Sequence, residues 1–470
     1  MRYPMWDDRF TYPVEGPSII HNSFKDLPFS VKKEFGEVLD LMCKWRMLLE
    51  RMNFVMEEIK RAEEQKKVGS TPGIFTIQQL CLTDRTVTDV FVYLDRIKFR
   101  KGMLLLQDYV PEKYQILLED DEKDFKLFLT KISLHLEYDY CKNYGVEDGA
   151  EERGAVPPLD ICDYMYCIDD SVTKCYDDIQ KLTQRFKPST IVYKGSFNIL
   201  YKAVADRNRV IVKRYQFNEL GHFELNTHQL EIALKDVKYM QMYQHPNIML
   251  LSYFGFRGNE MCLVYNSNLL HYSLDYYIRG ICPIHVAMIA SKKLPISRGI
   301  AEGLAFLHTS HDRPLIHMNI RPENIFLDHR LRPKITNFGF SREGPSAKDP
   351  PVASDQQYER SGYFPPEYTA WPHYISTKLD VYAFGMLMIQ LTAFREKGDP
   401  DSVYIRHFIH AQIDQDGDIQ DIIDLRDWVD RNTLRVYNRI LHVAYYCTKE
   451  DYIVRPEMKT VLEHLDRINH

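Results

Sequence analysis

The sequence predicts an α+β chain in two parts, an α-helical bundle followed by a two-lobed domain. Three observations predict it. From about residue 28 to 186 the apolar residues recur at helical spacing. After 187 short strand-like runs appear, and long helical patterns then continue to the C-terminus. The composition, 470 residues with 45% hydrophobic and 27% charged, is that of a globular chain long enough for two or three domains.

Residues 1–24 are rich in proline and aromatics without a period, and read as an irregular arm. Residues 25–150 read as the bundle. Phe35, Val38, Met42, Trp45, Leu49, Met52, Met56 and Ile59 alternate in steps of three and four, which predicts one apolar seam over roughly seven turns. Val87, Phe91, Leu94 and Ile97 mark a second helix over roughly 76–99. Phe125, Leu129, Ile132 and Leu136 mark a third over roughly 112–142. Breaks are expected at 69–73 and 145–158, both glycine- and proline-bearing. Residues 151–187 read as a linker and a bridging helix. Its stripe is Ile161, Met165, Ile168, Val172, Cys175, Ile179, Leu182 and Phe186. Four one-striped helices read as a bundle. Such stripes usually face an intramolecular core; a coiled coil or a membrane-active module is the sharper reading. The acidic run Glu119–Glu122 reads as a solvated helix face.

Residues 188–470 open with strand-like runs at Thr190–Tyr193, Ile199–Ala205, Arg209–Tyr215 and Met261–Tyr265. Helical patterns follow. Strands first and helices afterwards predict the two-lobed α+β arrangement.

Charge and cysteine content narrow the function. The net charge of −6, from 60 Lys and Arg against 66 Asp and Glu, gives no general electrostatic case for nucleic acid. Nine cysteines at irregular spacing, with no CxxC pair, leave a zinc ribbon or redox motif unsupported. The start lacks the apolar core of a secretory signal, and no run of 18 apolar residues occurs. A reducing, cytoplasmic setting is expected.

Ordered motifs across 191–456 carry the chemistry. Tyr193-Lys194-Gly195-Ser196-Phe197-Asn198-Ile199-Leu200 has the form of a phosphate-cradling glycine loop with one glycine of three, Gly195. Tyr193 and Asn198 take the outer positions. Val210-Ile211-Val212-Lys213 follows, then His317-Met318-Asn319-Ile320-Arg321-Pro322-Glu323-Asn324 and Asn337-Phe338-Gly339. Gly362-Tyr363-Phe364-Pro365-Pro366-Glu367-Tyr368 and Asp380-Val381-Tyr382-Ala383-Phe384-Gly385 complete the set. In this order the motifs resemble the protein-kinase signature. Tyr265 at the gatekeeper position and the Leu269–Ile278 stretch resemble the interleukin-1-receptor-associated kinase/Pelle group of the tyrosine-kinase-like branch.

The resemblance implies roles residue by residue. Lys213 is the phosphate-pairing lysine. Its helix partner is Asp236, nine residues before His245, one methylene shorter than the family glutamate; Glu231 is the second candidate. Gly195, Leu200, Lys213, Tyr265 and Asn324 are the nucleotide-binding candidates. His317, Glu367, Asp380 and Arg455 are structural. Asn319 stands where the family has the aspartate that orients the substrate hydroxyl, and Asn337 where it has the Mg²⁺-binding aspartate. Arg321 replaces the family lysine and Met318 the arginine that reads activation-loop phosphate. An amide is neutral and is no carboxylate base.

The resemblance therefore implies a pseudokinase: a scaffold or allosteric switch in intracellular signalling, with weak ATP binding, no normal Mg²⁺ site, and signalling proteins, among them an active kinase, as partners. Tyr193 filling the pocket stays open. The activation segment, roughly 340–366, offers Ser341, Ser346, Ser354, Tyr358 and Ser361 as phosphorylation candidates. Two alternatives remain. The layout resembles that of the mixed-lineage kinase domain-like family, which implies a membrane-acting bundle restrained by the pseudokinase. The other is an active Ser/Thr kinase with atypical catalytic residues.

Overall fold

The computed structural model describes residues 23–83, 85–119, 124–144, 164, 167–195, 198–205, 207–217, 227–257, 260–266, 269–279, 292–345, 352–354, 363–369, 373–393, 402–415 and 431–469. The first 22 residues of the expected arm, Asp120–Glu122, the break at 145–158, Ile161, Met165, Ser346, Tyr358 and Ser361 lie outside them. The chain divides into two compact units, one built on residues up to 157 and one on 158–217 and 226–470.

The first unit is helix-rich. It comprises α1 (Phe29–Leu41), α2 (Trp45–Arg51), α3 (Met56–Glu64), α4 (Pro72–Leu82), α5 (Val87–Arg96), α6 (Arg100–Leu106), α7 (Glu112–Gln115) and α8 (Phe125–Tyr144). The seam from Phe35 to Ile59 is not one helix. Cys43 and Asn53 adopt left-handed backbone, φ 50° and 59°, and break it into α1, α2 and α3. Met42 and Met56 fall at those breaks and are exposed, whereas Phe35, Leu49, Met52 and Ile59 are buried. No coiled coil runs through these residues. The expected helix over 76–99 splits likewise at Thr83–Thr86, where Thr86 and Asp89 form a reciprocal capping box. The third splits before α8, and α6 was not expected. The shared core gathers Phe24, Phe35, Leu48, Leu80, Phe91 and Leu94.

A polar seam joins α8 to α5. His135 Nε2 lies 2.8 Å from Asp95 Oδ2, and the Tyr138 hydroxyl donates to Asp89 Oδ1 at 2.5 Å. Burial pushes His135 below its ordinary value, against the opposing pull of Asp95, with Arg96 and Lys98 adding to the fall. Burial would raise Asp95, but the His135 hydrogen bond and the Lys98 and Lys131 charges bring it down to about 2. Both groups thus bind protons more readily when unfolded. Their stabilisation is complete above about pH 6.5 and falls as the pH drops, first through His135 and below about pH 4 through Asp95. Hydrogen exchange in 125–138, corrected for its intrinsic pH dependence, should accelerate between about pH 7 and 5; a flat profile would contradict a neutral buried His135.

The second unit has two lobes. The smaller carries a five-stranded antiparallel sheet of β1 (Ile191–Lys194), β2 (Asn198–Ala205), β3 (Asn208–Gln216), β4 (Leu251–Arg257) and β5 (Glu260–Asn266), in the order β1-β2-β3-β5-β4. Its long helix precedes β4 and spans Thr227–Met242. The larger lobe is mostly helical. The helix Lys378–Thr392 is buried along nearly its whole length, and packs on Arg431–Cys447, while Lys293–Thr309 packs on Met458–Asp466.

The stripe expected to form a bridging helix is not continuous either. Among its described residues, Asp170–Val172 form a 3₁₀ turn, Tyr176–Leu182 a short helix, and Gln184–Phe186 take left-handed backbone. The segment straps the outer face of the sheet. Thr173 bridges to Phe254, and the Lys174 N–H donates to the Phe254 carbonyl at 2.8 Å. Tyr176, Ile179, Leu182 and Phe186 cover Tyr201, Val210, Val212 and Cys262. Arg214 lies 4.1 Å above the Phe186 ring and pairs with Glu260, to which Tyr176 also donates. The strap approaches β4 at Gly255, where a Cβ would sit 2.6 Å from the Lys174 carbonyl oxygen and 2.7 Å from Ile179 Cδ1. Gly255→Ala should cost roughly 1–3 kcal/mol by overpacking. That corresponds to a fall of about 2–4 °C per kcal/mol in Tm, together with faster proteolysis within 168–187. An unchanged melt would show that the strap is not held there.

Candidate functional site

The two lobes enclose a cleft of about 970 Å³, counting its solvent-open mouth. Strand pairing builds its roof, with Leu200 opposite Lys213 and Lys213 opposite Leu263. Gly195, Leu200, Lys213, Tyr265 and Asn324 all line it, as do Asn319, Arg321 and Asn337. Tyr193 also lines it and remains 39% exposed, so it narrows the mouth rather than filling the interior.

Lys213 and Asp236 form a buried ion pair at 2.5 Å, with 3% and 0% side-chain exposure. Glu231, the second candidate, pairs with Lys235 on its own helix at 2.6 Å. The same helix approaches the Phe338–Phe340 turn very closely. A Cβ on Gly339 would lie 2.3 Å from Ile232 Cγ2. That approach lets Asp236 Oδ1 accept the Phe338 N–H at 2.5 Å. Asp236 Oδ2 accepts from Lys213 Nζ, from the Tyr215 hydroxyl at 2.8 Å and from the Tyr265 hydroxyl at 3.4 Å. Burial, reinforced by the Asp236 charge, drives both tyrosine hydroxyls far above their ordinary range, so they stay protonated donors. Burial pulls the Lys213 ammonium down, against the Asp236 charge. Tyr215 was not singled out from the sequence. Its signal was the two-residue step from Lys213, which puts both side chains on one face of the strand.

A chain of amides continues from the lysine. Lys213 Nζ donates to Asn337 Oδ1 at 2.7 Å, Asn337 Nδ2 to Asn324 Oδ1 at 3.2 Å, and Asn324 Nδ2 to the Asn319 carbonyl at 2.8 Å. An ammonium only donates and a carbonyl only accepts. The two ends therefore fix the direction of every amide between them. Asn337 must both accept and donate, which an aspartate carboxylate at 337 would not do. Asn337 sits at φ 71°, ψ 58°, a left-handed conformation that asparagine tolerates.

The loop bearing Asn319 is braced from below. Asp380 accepts the His317 and Met318 N–H groups at 2.7 and 2.8 Å, and lies 3.0 Å from His308 Nε2. Met318 is left-handed at φ 62°. His317 Nδ1 accepts the Asn319 N–H at 3.2 Å while Nε2 faces the Thr336 carbonyl at 3.0 Å. This fixes the neutral Nε2–H form, consistent with the lowering of its pKa by burial. Arg455 grips Glu367 with its two terminal guanidinium nitrogens, at 2.5 and 2.9 Å. Met318 packs with Ile316, Tyr368, Ile375 and Leu379. Ser341, a phosphorylation candidate by sequence, is buried and its hydroxyl faces the His317 carbonyl at 3.3 Å, so it is not an accessible acceptor. Ser354 lies on a short strand, paired with His373.

Residues 186–465 match the protein kinase domain family. The chain belongs to that family. It is 24% identical to serine/threonine-protein kinase pelle of Drosophila melanogaster, over 79% of this chain and 78% of that protein. It is 31% identical to leucine-rich repeat receptor protein kinase EMS1 and 26% identical to receptor-like kinase TMK4, both of Arabidopsis thaliana. Those matches cover 62% and 61% of this chain but only 24% and 31% of the two plant proteins. No helix among the described residues is long and apolar enough to cross a membrane.

Members of this family bind ATP with Mg²⁺. The donor set here does not fit the metal. Mg²⁺ favours anionic oxygens. Asn337 is neutral, with its oxygen bonded to Lys213 and its nitrogen donating to the Asn324 oxygen. Among the described residues no cluster of three or more His, Cys, Asp or Glu stands ready to hold a metal ion.

Lys213→Ala should destabilise the protein by roughly 3–5 kcal/mol in urea unfolding, because Asp236 is left buried without a counter-charge. The pair Lys213→Met/Asp236→Asn removes both charges and should cost clearly less than the single change. A double variant as damaged as the single one would refute the ion pair as the reason.

Proposed function

We propose that this chain is a catalytically impaired protein kinase, acting as a scaffold or allosteric switch in intracellular signalling. The carrying observation is a neutral amide at both Asn319, the position that orients the substrate hydroxyl, and Asn337, whose Nδ2 donates to Asn324 Oδ1. Of the described residues lining the cleft, Glu323 is the one carboxylate. It lies 3.8 Å from Arg321 and 4.0 Å from Arg279, long ion-pair distances. Loss of a single electrostatic group of this kind costs about 10²–10³ in rate, and here two are missing. Gly195, Leu200, Lys213, Tyr265 and Asn324 are proposed to retain weak ATP binding without a normal Mg²⁺ site.

The likeness to pelle, a serine/threonine kinase by name, supports partners among signalling proteins, an active kinase included. The proposed setting is the cytoplasm. The helix-rich unit, proposed as residues 25–150 ahead of a kinase-like domain at 188–470, supplies a second binding surface.

The test is phosphate transfer. Purified protein is incubated with labelled ATP, a generic protein substrate, and Mg²⁺ or Mn²⁺, beside the charge-removed Lys213→Met/Asp236→Asn variant. No incorporation above the variant's background is expected. Incorporation that the double variant abolishes would establish an active kinase instead.

A further inference from the structure

We infer that the strap, from Tyr164 to Phe186, is a latch that holds the Asp236 network together from outside the cleft, so that its release loosens that carboxylate. Almost all of it lies ahead of the residues, 186–465, that match the kinase family. The inference rests on the reading of this chain as a switch and takes it further, to the element that carries the switching.

The first argument is which elements the strap joins. On the cleft side Asp236 connects the helix Thr227–Met242 to β3 through Lys213 and Tyr215, and to β5 through Tyr265. Among its described residues the strap holds the same three elements from the opposite side. On the helix it holds Gln241, whose amide oxygen accepts the Asp169 N–H and whose amide nitrogen donates to the Asp169 carbonyl, both at 2.9 Å. One turn earlier, Lys238 lies 5.8 Å from the centre of the Tyr164 ring. On β3 the strap covers Val210 and Val212, and Phe186 lies under Arg214. On β5 it covers Cys262, and Tyr176 donates to Glu260. Val212 and Arg214 alternate along β3 with Lys213 and Tyr215, so the two sets of ties grip opposite faces of one strand. The Lys174 N–H is bonded to Phe254 of β4. Between that anchor and Asp169 the chain makes a 3₁₀ turn, which leaves little slack for the helix to leave the sheet.

The second argument is strain. Gln184, Arg185 and Phe186 take left-handed backbone in succession, at φ 53°, 59° and 57°. Residues with a Cβ adopt it at a cost. The Phe186 N–H, donated to the Thr183 hydroxyl at 3.0 Å, and the Phe186 ring under Arg214 keep it in place. A strained end persists only while its surroundings hold it, so it favours release once they open.

The third argument is the placing of the ties. Tyr176 and Ile179 are buried beneath the strap, whereas its polar ties lie at the rim. Asp177 and Arg257 pair at 2.6 Å with 48% and 37% exposure, and the Asp169–Gln241 pair is also exposed. Segments fastened at exposed ties open before a buried core does.

Hydrogen exchange in the full chain, read on a peptide spanning Phe338, tests this, because the Phe338 N–H ends on Asp236. Gln241→Leu removes the tie to the helix and touches nothing in the cleft. It should speed Phe338 exchange about three- to tenfold, and more than any change within Lys378–Thr392 of the larger lobe. Coupling is reciprocal, so Lys213→Met/Asp236→Asn should speed exchange across 169–182 several-fold, again beyond any change in Lys378–Thr392. Unchanged Phe338 exchange in folded Gln241→Leu would overturn the inference. A rise matched within Lys378–Thr392 would do the same, because it marks general loosening. If Gln241→Leu does not fold, the reciprocal variant decides alone, and unchanged exchange across 169–182 overturns the latch. Phosphate incorporation would sink the reading of an impaired kinase, whereas these exchange rates bear only on the latch.

Discussion

The second unit depends on one buried carboxylate. Asp236 comes from a helix, and it binds a strand through Lys213 and Tyr215, a second strand through Tyr265, and the turn after Asn337 through the Phe338 N–H. Four donors on one carboxylate, with full burial, is a costly arrangement unless every partner is in place. That makes it a coincidence detector in the fold. The helix, the sheet and the turn have to meet at one point, and the turn comes close enough because Gly339 has no Cβ to meet Ile232.

Electroneutrality is the wider constraint. With an asparagine at 337, the buried group of Lys213, Asp236 and Asn337 sums to zero charge. A second carboxylate would leave it one charge negative next to the fully buried Asp236, and a cation would offset it. The amide removes that charge without altering shape. It also adds a donor, and this donor completes the run of hydrogen bonds from the Lys213 ammonium to the Asn319 carbonyl. The substitution therefore does more than delete a charge. It converts a place that calls for a cation into a satisfied network.

Legibility from sequence followed the scale of the feature. The short motifs of the kinase-like region were readable because each sits on a strand end or turn whose geometry the residues themselves dictate; Lys213, Asp236, Asn319, Asn324 and Asn337 lie together in one run of hydrogen bonds. The helix-rich unit was readable as helical but not in its breaks. Cys43 and Asn53 turn the chain through left-handed backbone without glycine or proline to announce it, so a seam at steps of three and four looked continuous. The strap from Ile168 to Phe186 misled for a related reason. Its apolar residues keep helical spacing because they must cover a flat sheet face, and a short helix flanked by turns meets that need as well as a long helix does. Ser341 looked like an exposed loop hydroxyl. Its burial depends on a contact with His317, 24 residues distant, that no local pattern carries.

The pattern of what the chain keeps and what it has replaced follows from the same electrostatics. Glu367 is neutralised by Arg455, and Asp380 by two backbone N–H groups beside His308; all of these bonds exist within the folded chain itself. Replacing either carboxylate would strand its partners, so each is held by folding stability alone. Position 337 differs. A carboxylate at 337 would share the Lys213 ammonium with Asp236, and the surplus negative charge would have no further cation bonded to it among the described residues. When phosphoryl transfer is not required, a carboxylate at 337 adds a negative charge close to the buried Asp236, and an isosteric amide removes it. The Asn337 amide is thus held by bonds within the fold, as Glu367 and Asp380 are by theirs.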